Sequence, residues 1–285
     1  MIAMLSIVGG VLLALSSALR MANGEALHWH VLSFLAAFGA FEASRTVLVS
    51  FLVNFFGDTQ IYTTVDENAI FYPLREAMLN IVTTRLVEAV SDRANDGRPY
   101  DRIIIAAHSL GSTIAMDAII RLHQLSEQGA ITPEQFARIR AFVTFGSPME
   151  KTKYFFDVVN PSPSLAYDQW SNDIYGCLFT SDTTVLTQEN RAGIGIAWLN
   201  YWYFTDPIGG PIASYRSFLR PGDSIADASK HRSQPQDAAP LVCHNERGDR
   251  TASLIHPIIH GDFLDDPWFW KSAPNHIGAL EIITH

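Results

Sequence analysis

Ser109 is the residue whose surroundings point most clearly to chemistry. It lies in Arg102-Ile103-Ile104-Ile105-Ala106-Ala107-His108-Ser109-Leu110-Gly111-Ser112-Thr113, where three isoleucines and two alanines make an apolar run without alternation. That is the pattern of a central parallel strand covered on both faces. Ile114, Ala115, Ala118, Ile119 and Leu122 then recur at helical spacing, which leaves only His108 to Gly111 for the turn. So tight a turn forces an unusual backbone conformation on the serine and projects its hydroxyl from the sheet edge. A serine that merely caps the helix is the alternative. A hydroxyl is a poor nucleophile at neutral pH. It needs an imidazole to take its proton and a carboxylate to hold that imidazole in the right tautomer. For the carboxylate, the aromatic run from Ala197 to Phe204 reads as a strand that stops at Thr205-Asp206-Pro207. Asp206 then stands at a strand's carboxyl end, before the turn Pro207-Ile208-Gly209-Gly210, with a plain turn aspartate as the alternative.

Ala107-His108-Ser109-Leu110-Gly111 matches the Gly-x-Ser-x-Gly nucleophile elbow except for alanine in the first small position. With Thr144-Phe145-Gly146-Ser147-Pro148 it resembles the serine lipases and esterases of the α/β-hydrolase superfamily. The likeness is strongest to a little-characterised group of bacterial membrane-associated hydrolase-like proteins, and it runs from Ile61 to His285. The resemblance implies a parallel-sheet α/β fold and the chain order serine, acid, histidine, filled here by Ser109, Asp206 and His260. His260-Gly261-Asp262-Phe263, followed by acidic residues and Trp268, resembles the histidine loop of that family, and His256 is its rival. Of the other histidines, His28 and His30 fall in the N-terminal part, His108 is the elbow's variable position and His123 lies on a helix. His231, His244, His276 and His285 lie away from loops at the sheet's carboxyl edge, with His244 the nearest of them to a challenge. One oxyanion donor is the amide of Leu110. The second is missing from its usual place, since no His-Gly type loop precedes Ser109; Gly57 and Asp58 are candidates to substitute. The first strands of a full hydrolase sheet are accordingly expected to be replaced by N-terminal helices or absent.

The chain has 285 residues, room for one α/β domain and an appendage. Charged residues are 17%, below the roughly 25% of an average soluble protein, and hydrophobic residues reach 48%. A net charge of −9 without a lysine or arginine run gives a nucleic-acid partner no electrostatic basis. Cys177 and Cys243 are too few for a disulfide framework or a thiolate metal site and read as free thiols, a single bridge between them being the alternative. No phosphate loop, dinucleotide fingerprint or metal-ligand spacing is present, so neither cofactor nor metal is expected.

The appendage is expected at the front, over residues 1–56. Ile2 to Leu19 is uncharged and apolar, just long enough to cross a bilayer as a helix, and no basic residue precedes it as a signal peptide would require. Val31 to Phe56 is a second apolar stretch, either spanning or lying in the interface, with a core helix of a soluble protein over Val31 to Phe41 as the remaining alternative. Its Glu42 and Arg45 lie three apart on one helix face and can pair. Residues 57–285 form the hydrolase-like domain. Within it, Ile61 to Thr64 reads as a short extended piece, and Tyr72 to Val90 as a helix with Pro73 in its first turn. Thr132-Pro133-Glu134-Gln135 is a helix start with a capping box. Ala141 to Phe145 is a strand ending in the Gly146-Ser147-Pro148 turn, where proline after Ser147 denies that serine a helix start. Glu150 to Arg191 is either a lid or a surface excursion, and Arg220 to Ala239 a loop. Leu241 to His244 and Ala252 to Ile255 are read as the last strands, Asp265 to Lys271 and Ile277 to Ile283 as closing helices.

The function expected is a membrane-anchored serine hydrolase cleaving carboxylic esters, lipid or small-molecule, through an acyl-enzyme. Its domain is expected on the cytoplasmic side of a bacterial inner membrane. The rival is a catalytically inactive hydrolase-fold membrane protein with a binding or structural role. An acyltransferase that swaps water for another acceptor is a third reading. The oligomeric state is not legible.

Overall fold

The computed structural model describes residues 57–64, 66–92, 97–152, 178–180, 195–213, 243–248, 259–274 and 276–284, with isolated helical positions between 15 and 53. The chain divides into two compact units, Met1–Gln60 with Ala252–Pro257, and Ile61–Thr251 with Ile258–His285. The sheet and the site described below belong to the second.

Helix α1, Tyr72–Ser91, begins with proline in its first turn and packs along α2, Gly111–Glu127. Between them runs β1, Ile103–His108. After α2 come the single turn α3, Pro133–Phe136, and β2, Ile139–Phe145. The capping box at α3 is complete: Gln135 N–H donates to Thr132 Oγ1 at 3.2 Å and Thr132 N–H to Gln135 Oε1 at 2.7 Å. β3, Phe179–Thr180, β4, Ile196–Tyr203, and β5, His244–Gly248, complete the described sheet. A 3-10 segment, Ile259–Asp265, and two short helices, α4, Pro267–Trp270, and α5, Ala279–Thr284, follow.

Every described strand pairing is parallel, in the order β1-β2-β4, with β3 and β5 both beyond β4. β3 pairs with β4 at Ile196 and Ala197 and β5 along Leu199 to Tyr203, so the two follow one another along the same edge and the sheet is four strands wide. Parallel neighbours need a crossover, and α2 with α3 supplies the one between β1 and β2. This is an α/β architecture. α2 is nearly enclosed: Ala115, Met116, Ala118, Ile119 and Leu122 are buried, and each large one stabilises the fold by about 1.5–3 kcal/mol. Phe142, Phe179 and Trp198 form an aromatic cluster in the same core.

Several sequence expectations need correction. Among the described strands β1 is not central: it ends their order, its three isoleucines are only half-buried and Ala106 is exposed. An apolar run records what a strand can bury, whereas its place in the sheet depends on a neighbour far away in sequence. Residues 57–63 are helical rather than extended at 61–64, with Thr59, Tyr62 and Thr63 buried at helical spacing. There Tyr62 O–H donates to Asp117 of α2, while Arg75 of α1 donates to Asp117 Oδ2 at 3.0 Å and to the Tyr62 carbonyl at 2.9 Å. Burial, reinforced by the Asp117 charge, pushes the Tyr62 hydroxyl far up, so it remains a proton donor. β5 starts at His244, where the sequence has the strand ending.

Glu42 and Arg45 do pair, at 2.8 Å. Otherwise the two expected membrane segments lie almost wholly outside the described residues, as do 153–177, 181–194 and 214–242 and the strand expected at Ala252 to Ile255. No helix among the described residues is long and apolar enough to cross a membrane.

Candidate active site

The elbow forms as the small residues require. β1 stops at His108, and α2 opens after Leu110, which already has helical dihedrals. Between them Ser109 has φ +54°, the one non-glycine residue at positive φ among those described. For an L-residue that conformation costs about 1–2 kcal/mol. The surroundings over-determine it: Ser109 N–H donates to the Phe145 carbonyl at 3.1 Å, and the Ser109 carbonyl accepts from Ser112 N–H at 2.9 Å. Ser112 Oγ donates to the Ala107 carbonyl at 3.2 Å, closing the turn from inside. The amide of Leu110 lies at the open mouth of α2 and has no acceptor among the described residues.

Asp206 follows β4 by three residues and its carboxylate is fully enclosed. Oδ1 accepts from the Ile208 amide at 2.8 Å, and both oxygens lie 3.0–3.1 Å from Nδ1 of His260. His260 comes from the 3-10 segment and lies against Gly146 at the end of β2. Gly146 has φ +59°, and a methyl group there would stand 2.9 Å from the ring's Cε1. A Cβ on Gly209 would meet Asp206 Oδ2 at 2.5 Å and the Cα of Gly146 at 2.6 Å. Bare backbone is what lets the ends of β2 and β4 close on the base. The acid loop is pinned from below by Asn200 and Asn245, facing partners on β4 and β5. Asn200 Nδ2 donates to the Gly210 carbonyl at 2.9 Å, and Asn245 forms two bonds with the Ile212 backbone, each 2.8 Å. Lys151 Nζ donates to the carbonyls of Pro207 and Ile208 at 2.7 and 2.6 Å. Burial lowers its pKa while the Asp206 charge opposes that.

Burial alone would raise the Asp206 carboxyl. The hydrogen bond and charge of His260, with the amides of Ile208 and Gly209, outweigh it and hold Asp206 below the ordinary carboxylate range. An ionised carboxylate only accepts, so Nδ1 of His260 is the donor, and in the neutral ring Nε2 carries the lone pair. Nε2 is enclosed and has no hydrogen-bond partner among the described residues. A nitrogen with a free lone pair can accept a proton.

Of the expected set, Asp206 and His260 are brought into direct contact. Ser109 stands at the same carboxyl edge: the ring of the preceding His108 lies 4.6 Å from that of His260, and the Ser109 amide donates to the carbonyl of Phe145, the residue before Gly146. The Ser109 hydroxyl is not bonded to Nε2. Comparison with known protein families, curated proteins and solved structures finds no match. The geometry therefore carries the functional argument alone. His256 lies outside the described residues, whereas His123 packs on Phe136, and His244 and His276 bond Glu246 instead. Ser147 is buried behind the Gly146 turn. Gly57 and Asp58 lie in a helical turn assigned to the first unit. Among the described residues no three His, Cys, Asp or Glu side chains group to hold a metal ion. Cys243 is a free, buried thiol whose pKa burial raises. Two residues at this edge were not foreseen: Lys151, whose partners are main-chain carbonyls, and His108, set aside as the elbow's variable position. The position of His108 beside a candidate nucleophile was the one available signal.

Proposed function

We propose that the chain is a serine hydrolase of the α/β-hydrolase type that cleaves carboxylic esters through an acyl-enzyme. The observation that carries the reading is Ser109 held at positive φ between strand and helix, at the sheet edge where an enclosed Asp206–His260 pair presents a free Nε2. In this reading Ser109 Oγ attacks the ester carbonyl as Nε2 takes its proton, and Asp206 stabilises the imidazolium. The Leu110 amide donates to the oxyanion. The alcohol leaves with the proton from Nε2, and water, deprotonated by the same nitrogen, releases the acid and regenerates the serine. The order of the chain supports it: serine after β1, acid after β4, histidine after β5.

The apolar stretches at Ile2 to Leu19 and Val31 to Phe56 support a membrane-anchored enzyme with lipid esters as substrates, and two cysteines read as free thiols support the cytoplasmic side of a bacterial inner membrane. A second reading, an inactive hydrolase-derived scaffold, is favoured by the absence of a bond between the Ser109 hydroxyl and Nε2. A fluorophosphonate probe separates the two. The active enzyme labels at Ser109 and Ser109→Ala does not; equal labelling of both proteins, or none of either, rejects the first reading. Product analysis with an added alcohol acceptor distinguishes hydrolysis from acyl transfer.

A further inference from the structure

His108 touches the candidate base in two independent ways. Its Nε2–H donates to the main-chain carbonyl of His260 at 2.7 Å, and its ring lies 4.6 Å from the His260 imidazole. On its other side it stacks on Phe145 at 5.1 Å, so its orientation is fixed from β2 as well. The residue is covalently joined to Ser109, which makes it a rigid strut between nucleophile and base. Asp206 holds Nδ1, and the bare backbone of Gly146 sets how deep the ring can sink. Neither of these ties His260 to β1. The bond from His108 does.

We propose that His108 is a positioning residue: by holding the His260 carbonyl it fixes the separation between Ser109 Oγ and His260 Nε2. The proposal rests on the hydrolase reading above. A strut has to keep its donor through the reaction. Burial, partly offset by the bond to the His260 carbonyl, lowers the His108 pKa and favours a neutral ring. A neutral ring donates from Nε2 and adds no positive charge beside His260 when that residue takes the serine proton.

The test compares His108→Phe, which keeps the stacking ring but has no donor, with His108→Gln, whose amide reaches about as far as Nε2. The full chain is assayed with a p-nitrophenyl ester and a fluorophosphonate probe, with Ser109→Ala as the blank. The expected result is a loss of about 100-fold in kcat for His108→Phe with KM and melting temperature little changed, since displacement of a catalytic group by about 1 Å costs that much. His108→Gln recovers most of the loss. Should His108→Phe not fold, His108→Asn, whose amide falls short of the carbonyl, replaces it under the same criteria. Wild-type kcat in the donorless variant overturns the proposal. So does equal impairment of the donorless variant and His108→Gln with melting temperatures lowered in step, since that marks a packing role. A wild-type protein that reacts no faster than Ser109→Ala rejects the hydrolase reading itself, and the positioning role falls with it.

Discussion

Two buried carboxylates in this molecule each hold a histidine, and they do opposite things with it. Glu246 on β5 accepts from His276 Nδ1 at 2.8 Å, from His244 Nε2 at 2.8 Å and from the Ile277 amide at 3.0 Å. The other nitrogen of His276 meets the Trp268 carbonyl at 2.7 Å, and the Trp268 ring stacks on the imidazole at 4.5 Å. Both ring nitrogens of His276 thus have a partner. At Asp206 the same chemical pair stops half-way: Nδ1 is bonded and Nε2 is enclosed with nothing to bind. An imidazole with both nitrogens committed is a staple for the C-terminal segment, whereas one with a single commitment is equipped for proton transfer. Leaving a polar atom unsatisfied costs roughly 1–3 kcal/mol.

The contrast breaks most sharply at Asp206. Asp206→Asn keeps the shape but no longer enforces the Nδ1–H tautomer, and ester hydrolysis is expected to fall by on the order of 10³- to 10⁴-fold. Its melting temperature should fall modestly, because the Ile208 and Gly209 amides lose an ionised acceptor, and a variant that keeps wild-type turnover sinks the assignment. His276→Ala is the mirror experiment. It removes two bonds and a stacked ring and should lower stability by about 1–3 kcal/mol in denaturant titration, while labelling per folded molecule stays at the wild-type rate. Loss of labelling in a protein of unchanged stability would erase the distinction between the two pairs.

Acid offers the finest discrimination. Burial would raise the Glu246 carboxyl, but hydrogen bonds from His244, the Ile277 amide and His276 hold it below its ordinary range. A carboxyl whose folded pKa lies below the unfolded value of about 4.3 contributes stability that is fully present above that pH. The contribution is lost as pH falls through the still lower folded value. Glu246→Gln should therefore start less stable near pH 6 and lose less than wild type between about pH 6 and pH 3, followed by urea midpoints. Parallel loss in both proteins would show that the Glu246 cluster does not feel the titration.

Local signals carried the sequence reading, and its failures are tertiary. Thr132-Pro133-Glu134-Gln135 announces its helix because both capping bonds close within four residues. The elbow is equally legible, since its strand, small residues and helix are contiguous. Asp206 could be found because a strand's end is marked by Thr205 and Pro207. Nothing local to 57–63 announces a helix, because its register is set by Tyr62 reaching Asp117, 55 positions away. The edge position of β1 depends on which neighbours exist, and periodicity is silent on that. His108 eluded the reading for the same reason: its partner stands 152 residues further on.

Gly146 and Gly209 have a consequence for how such a chain can drift. Main-chain atoms, rather than side-chain bulk, set the gap between acid and imidazole here. These two positions admit not even a methyl group. Under the hydrolase proposal, descendants that keep the chemistry should agree at this pair. Under the same proposal, the first alanine to appear at either place would mark a lineage that has given the reaction up.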